Sequence, residues 1–112
     1  MRGMLHIGCT PYNEDCVQVD SIGAMTLELK LYRAMLLSKW PHADLRIRWE
    51  SHDFGRYGEV ICVFDDFNVE RADEAYDIES NGPEYWGYYD GTNWVKMSKN
   101  ECLAYFKGKI NN

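Results

Sequence analysis

The sequence lacks any long hydrophobic run. A helix that crosses a bilayer needs about 20 consecutive apolar residues, and no stretch of the 112-residue chain approaches that length. Residues 1–6 also lack the apolar region of a signal peptide. We therefore expect no membrane partner and a cytoplasmic location.

Positive charge is scarce. The chain has 12 Lys and Arg residues against 18 Asp and Glu residues, which gives a formal net charge of −6. The summed field of such a chain repels phosphate backbones and anionic lipid headgroups. This excess of negative charge disfavours direct binding to nucleic acid and to membranes.

The familiar enzyme signatures are also missing. The sequence has no glycine-rich phosphate loop, no nucleophile elbow and no zinc-protease helix motif. Cys62 lies in an apolar run and Cys102 on a predicted amphipathic helix, so we interpret both as small buried hydrophobic residues. These observations favour a protein that is not an enzyme and has no cofactor.

A few thiol and imidazole groups leave a chemical alternative open. Cys9 or Cys16 could act as a nucleophile, with His52 as the base and Asp53 orienting it, if the fold joins them. His6 with Cys9 and Cys16 could instead hold a metal, although the cysteine spacing differs from that of zinc modules. The alternative to both is purely structural: His52 and Asp53 belong to a turn, and Cys9 and Cys16 are reduced thiols.

Apolar residues are plentiful enough for a core. They make up 46% of the chain, and aromatic residues make up 14%, which argues against intrinsic disorder. At 112 residues one hydrophobic core is the natural expectation. We predict a single folded domain over residues 1–112.

The first half of the chain predicts one long helix among three strands. Ile22, Met25, Leu29, Tyr32 and Leu36 recur at steps of three and four, which is typical of one helical face. Residues 45–50 alternate apolar and charged side chains, residues 57–64 form a more apolar central strand, and residues 4–7 form another strand. Residues 51–56 are predicted to be the connecting turn.

The second half predicts a helix, a hairpin and a last short helix. Asn68 can cap the second helix, with Val69, Ala72 and Tyr76 facing inward. The dipeptide 90–91, Asp-Gly, is favoured in two-residue hairpin turns because both positions tolerate positive φ. Residues 98–101 form a capping box ahead of the last helix.

This order of elements predicts an α+β fold. We expect a small mixed or antiparallel sheet with two main helices, of the split βαβ or ferredoxin-like type. A C-terminal hairpin and a short helix follow it.

The most unusual feature of the sequence is an acidic segment. Between residues 65 and 84 eight acidic residues accompany one basic residue, Arg71. Helical spacing places several of them in a stripe on the solvent side. The residues predicted to form this acidic binding stripe are Asp65, Asp66, Glu70, Asp73, Glu74 and Asp77. The alternative is a solvated helix face that serves solubility.

Aromatic residues surround the predicted hairpin. Because strand side chains alternate between faces, Trp86, Tyr88, Tyr89 and Trp94 cannot all face the core. Exposed tyrosine and tryptophan residues are common anchors of protein interfaces. In a small domain they can equally close the edge of the core.

Two segments resemble known sequences. Residues 8–19, GCTPYNEDCVQV, and residues 51–60, SHDFGRYGEV, are similar to segments of small uncharacterised proteins encoded by phages and prophages. The resemblance covers most of the first eighty residues. Both segments are expected in loops, where function tends to reside. The loop candidates for binding are therefore Tyr12, Asn13, Glu14, His52, Asp53 and Tyr57.

These features lead to one main hypothesis of function. It is a binding protein that occupies the basic surface of a protein partner, with the acidic stripe as contact and the hairpin aromatics as anchors. By analogy, the phage resemblance implies an inhibitor of a host nucleic-acid-binding enzyme or defence system that acts in the host cytoplasm. The alternatives are a small cysteine- and histidine-dependent enzyme or ligand-binding protein, and a homodimer or virion accessory protein.

Overall fold

The structure is a computed structural model that describes residues 2–8, 22–52 and 55–110. The strands of this part of the chain are β1 (Arg2–Gly8), β2 (Leu45–His52), β3 (Gly55–Asp65), β4 (Gly87–Tyr89) and β5 (Trp94–Lys96). Its helices are α1 (Ile22–Lys39), α2 (Val69–Asn81), α3 (Lys99–Tyr105) and α4 (Lys107–Ile110).

The three longer strands form one antiparallel sheet in the order β1-β3-β2. Because β3 is antiparallel to both neighbours, β1 and β2 run in the same direction, and α1 connects them across β3. This is the split βαβ arrangement, and it confirms the predicted α+β class. The hairpin β4-β5 forms a separate two-stranded sheet.

The hydrophobic core lies between one face of the sheet and the two long helices. Leu29 and Leu36 of α1, Ile78 of α2, and Val60 and Cys62 of β3 belong to a single buried cluster. The C-terminal region joins it through Trp86, Cys102, Phe106 and Ile110. Each large apolar side chain buried in this way contributes about 1.5–3 kcal/mol to folding.

The predicted turn between β2 and β3 is shorter in the structure. The two strands stay paired up to His52 and Gly55, so residues 51–52 and 55–56, predicted as turn, are strand. Cross-strand pairing can continue to the last residue when the register is set by apolar pairs such as Leu45 with Cys62 and Ile47 with Val60. His52 is therefore part of β2 and not of a loop.

The predicted inner face of α2 is wrong. Ala75 and Ile78 are the buried residues of this helix, whereas Val69 and Tyr76 are 68% and 55% exposed. The apolar residues of α2 do not fit one helical stripe, so the periodicity allows more than one face. Packing against β3 and β1 selects the small Ala75 and the larger Ile78.

The hairpin was predicted correctly, but its turn was not. Tyr89 pairs with Trp94, so residues 90–93 form the connection in place of a two-residue turn. The Asp90 carboxylate accepts hydrogen bonds of 2.8 Å from the backbone N–H groups of Thr92 and Asn93, and Gly91 has a φ of 105°. The side chain of Asp90 thus organises the longer loop.

Candidate functional site

The turn before α2 presents the start of the acidic segment. The Asp65 carboxylate accepts a hydrogen bond of 2.9 Å from the Phe67 backbone N–H. The Asn68 side chain accepts one of 3.2 Å from the Arg71 backbone N–H, which confirms Asn68 as the N-cap. These bonds fix the direction in which residues 65–70 leave the sheet.

Four of the predicted acidic residues are exposed. Glu70 and Asp73 are exposed on α2, as the helical spacing predicted, and Asp65 and Asp66 are exposed in the turn that precedes the helix. Like charges at these spacings repel each other by a few tenths of a kcal/mol per pair. The exposed carboxylates therefore give this part of the surface a negative charge.

The other two predicted acidic residues have internal partners. Glu74 is half-buried and forms an ion pair of 3.0 Å with Arg71. Asp77 was predicted on the solvent side but is half-buried. Its carboxylate faces α1, where it accepts a 2.7 Å hydrogen bond from the Trp40 indole, and it accepts another from Asn81. The Trp40 hydrogen bond lowers the pKa of Asp77. Glu74 and Asp77 thus support the fold.

The sequence pattern did not indicate the apolar part of this surface. Phe67 is 89% exposed, and Val69 and Tyr76 are also mostly exposed. Phe67 precedes the N-cap, where an apolar residue often packs against the fourth residue of the helix. That residue is Ala72, whose single methyl group offers little contact area, and Phe67 stays in solvent. We define the α2 surface as Asp66, Phe67, Val69, Glu70, Asp73 and Tyr76.

A depression of about 610 Å³ lies beside Phe67. Its walls carry both signs of charge, with Arg2 and Arg71 opposite Asp44 and Asp65. Asp44 accepts hydrogen bonds of 2.9 and 2.8 Å from Arg46. These hydrogen bonds are the main reason that the pKa of Asp44 is lowered. Because these charges largely compensate each other, the depression favours neither an anion nor a cation.

The hairpin aromatics are less available than predicted. Trp86 is only 8% exposed. It directly precedes β4, which packs on α1, where the Gly87 N–H donates a 3.2 Å hydrogen bond to the Met35 sulfur. Tyr88 is half-buried and stacks on Tyr105 with ring centroids 4.5 Å apart. Trp86 is therefore not a surface anchor, and the hairpin closes an edge of the core.

The loop candidates are largely untested. Tyr12, Asn13, Glu14 and Asp53, together with Cys9 and Cys16, lie outside the described residues, as does the His52 side chain. Tyr57 is half-buried, and its hydroxyl donates a hydrogen bond to Glu50 that raises the Tyr57 pKa. The hypothesis of a cysteine and histidine site thus stays a prediction.

The two described cysteines are buried thiols, as predicted. Neither Cys62 nor Cys102 forms a disulfide. Burial raises the pKa of Cys62 to about 11 and also raises that of Cys102. Both therefore stay protonated near neutral pH, which is unfavourable for nucleophilic chemistry.

The sheet face opposite the helices carries paired charges. The nitrogen Nδ1 of His6 lies 2.8 Å from the Glu59 carboxylate, and Arg48 forms an ion pair of 2.5 Å with Glu50. Within the described ranges, no group of three or more His, Cys, Asp or Glu side chains could hold a metal ion. None of the helices described is long and apolar enough to cross a membrane.

Comparisons with protein-family models, with curated proteins and with solved structures find no match to this chain. Only the residues and their geometry therefore bear on its function.

Proposed function

We propose that the protein acts by binding another protein through the α2 surface, and that the partner presents a basic surface with an apolar pocket. The observation that carries the proposal is Phe67, a large aromatic side chain that is 89% exposed among exposed carboxylates. Interface hot spots are commonly buried aromatic anchors. Phe67 is the anchor in this proposal, in place of the hairpin aromatics.

Charge complements this anchor. Asp66 is next to Phe67 in the turn before the helix, and Glu70 and Asp73 are exposed on α2 together with Tyr76. Such a surface steers a basic partner and raises the association rate, an effect that salt screens over about 8 Å at physiological ionic strength. The apolar side chains then supply contact area that salt does not weaken.

The proposed class of partner is a host nucleic-acid-binding enzyme or a component of a host defence system. The negative α2 surface supports this proposal, which takes the expected resemblance of residues 8–19 and 51–60 to phage and prophage proteins as its premise. Proteins that bind phosphate backbones carry clustered Lys and Arg. A negative surface of this kind can occupy such a site in competition with nucleic acid.

The test is affinity capture from a host lysate with three immobilised proteins. They are the wild type, Glu70→Lys/Asp73→Lys and the charge-matched control Glu79→Lys/Glu84→Lys, whose residues are exposed but outside the α2 surface. We expect one basic protein to be retained at low salt by the wild type and the control only. Retention by all three proteins would contradict the proposal.

A second variant separates the anchor from the charges. Phe67→Ala should weaken binding of the captured partner by about 2 kcal/mol or more, mainly through faster dissociation. Charge reversal should instead slow association and reduce its dependence on salt. If Phe67→Ala binds like the wild type in a kinetic measurement, Phe67 is not the anchor.

A further inference from the structure

Three aromatic rings surround the side-chain ammonium of Lys39. Its Nζ lies 4.8 Å from the ring centroid of Trp40, 5.2 Å from that of Tyr89 and 6.0 Å from that of Trp94. All three distances are within the range of cation–π attraction. We call Trp40, Tyr89 and Trp94 the aromatic cage.

The fold holds the walls of the aromatic cage in place. Tyr89 and Trp94 face each other across the hairpin and meet edge to face, with centroids 5.5 Å apart. Trp40 and Trp94 are inclined by 51° at 6.0 Å. The Tyr89 N–H donates a 3.1 Å hydrogen bond to the Ser38 hydroxyl, which ties the hairpin to the end of α1. The rings thus form a corner and not a flat stack.

Electrostatics favour a cation at this corner. The Trp40 indole N–H donates to the Asp77 carboxylate at 2.7 Å, which places a negative charge behind one wall. Lys39 lies in the last turn of α1, where the helix dipole also favours positive charge. The occupant is therefore held by ring faces and by the field of its surroundings.

A lysine is a displaceable occupant for a cage of this kind. A lysine ammonium is strongly hydrated and sits on a flexible four-carbon stem, so it can leave for solvent without a change in the backbone. A methylated ammonium is less hydrated, and aromatic cages are known for recognising this group.

We propose that the aromatic cage is a binding site for a methylated ammonium group and that Lys39 fills it until such a ligand displaces the lysine. This site shares no residue with the α2 surface. Its test is therefore independent of the proposed function.

The probe is tetramethylammonium chloride, with NaCl at equal ionic strength as the control. Binding is followed by the indole N–H resonances in a two-dimensional NMR spectrum. Trp40 and Trp94 report on the cage, and Trp49 and Trp86, which lie outside it, report on general effects. We expect saturable shifts of the first pair only.

Lys39→Ala tests the role of the lysine. Removing the occupant should tighten tetramethylammonium binding about tenfold, since the ligand no longer competes with an internal cation–π partner. Lys39→Arg keeps an occupant and should bind like the wild type. Equal affinity in wild type and Lys39→Ala would overturn the displacement of Lys39.

A wall variant tests the site itself. Tyr89→Leu in the Lys39→Ala background should lose saturable binding, with folding checked by thermal unfolding. Choline and free trimethyllysine are then titrated into Lys39→Ala, and the tighter ligand identifies the source of the methylated ammonium. The absence of saturable shifts with tetramethylammonium in wild type and in Lys39→Ala, and with choline and trimethyllysine in Lys39→Ala, would overturn the site.

Discussion

The indole Nε1 of Trp40 donates a hydrogen bond of 2.7 Å to the Asp77 carboxylate. This bond connects the end of α1 to the middle of α2, and therefore links the two helices that cover the sheet. The Asp77 carboxylate also accepts a hydrogen bond from the Asn81 side chain. It belongs to the fold more than to the exposed acidic surface.

Asp77→Asn should destabilise the protein at neutral pH by about 1 kcal/mol, because a charge-assisted hydrogen bond becomes a neutral one. The folded-state pKa of Asp77 lies below its ordinary value of 3.8. Its stabilising contribution is therefore fully present above that ordinary value and is lost as the pH falls through the lower folded-state pKa. Urea unfolding at neutral and at acidic pH measures both effects.

The control for this prediction is Asp73→Asn on the exposed side of the same helix. It should change the free energy of unfolding by less than about 0.5 kcal/mol. If Asp77→Asn has the same small effect as Asp73→Asn at neutral pH, the bond to Trp40 does not stabilise the fold.

Truncation of Ile78 should destabilise the fold strongly, whereas truncation of Phe67 should leave its stability almost unchanged. Ile78 is buried against the sheet, so Ile78→Ala should lower the free energy of unfolding by about 2–5 kcal/mol. Phe67→Ala should change it by less than about 0.5 kcal/mol, because the ring is already in solvent. Denaturant unfolding of the two variants makes the comparison, and a large loss for Phe67→Ala would show that Phe67 supports the fold.

The elements were predictable where a single pattern determined them. The spacing of Leu29, Tyr32 and Leu36 identified the buried face of α1, and the capping box at Ser98 and Glu101 identified the start of α3. In each case a single local interaction or a single periodicity points to one structure, and no other pattern in that segment points to a different one. The order of elements then predicted the α+β class.

The candidate site was only partly predictable. Val69, Ala75, Tyr76 and Ile78 offer two helical faces, and only the packing of α2 on the sheet decides between them. The exposure of Phe67 depends on how the turn before α2 leaves the sheet, which residue spacing does not specify. The aromatic cage joins the end of α1 to both strands of the hairpin, and such contacts between distant segments leave no signal in the spacing of residues.

Gly87 should not tolerate alanine. A Cβ atom at this position would overlap the carbonyl oxygen of Val95 in the partner strand, which cannot move without breaking the hairpin. We expect Gly87→Ala to lower the free energy of unfolding by about 1–3 kcal/mol or more. The matched control is Gly108→Ala in α4, where a Cβ atom meets nothing within 4 Å. This substitution should leave the free energy of unfolding unchanged or raise it by up to about 1 kcal/mol. Thermal unfolding measures both, and equal melting temperatures would contradict the overlap.

Cys62 and Cys102 should resist alkylation in the native protein. Burial raises the pKa of both thiols, for Cys62 to about 11, so the reactive thiolate is rarer near neutral pH than for an ordinary cysteine. We expect slow labelling by iodoacetamide in native buffer and rapid labelling in denaturant, measured at each cysteine by mass spectrometry of the digested protein. Fast native labelling of Cys62 would contradict its burial.

The same digest reports Cys9 and Cys16, and faster labelling of Cys16 than of an unfolded thiol would favour the alternative of a cysteine-dependent enzyme, since only an activated thiolate reacts in that way.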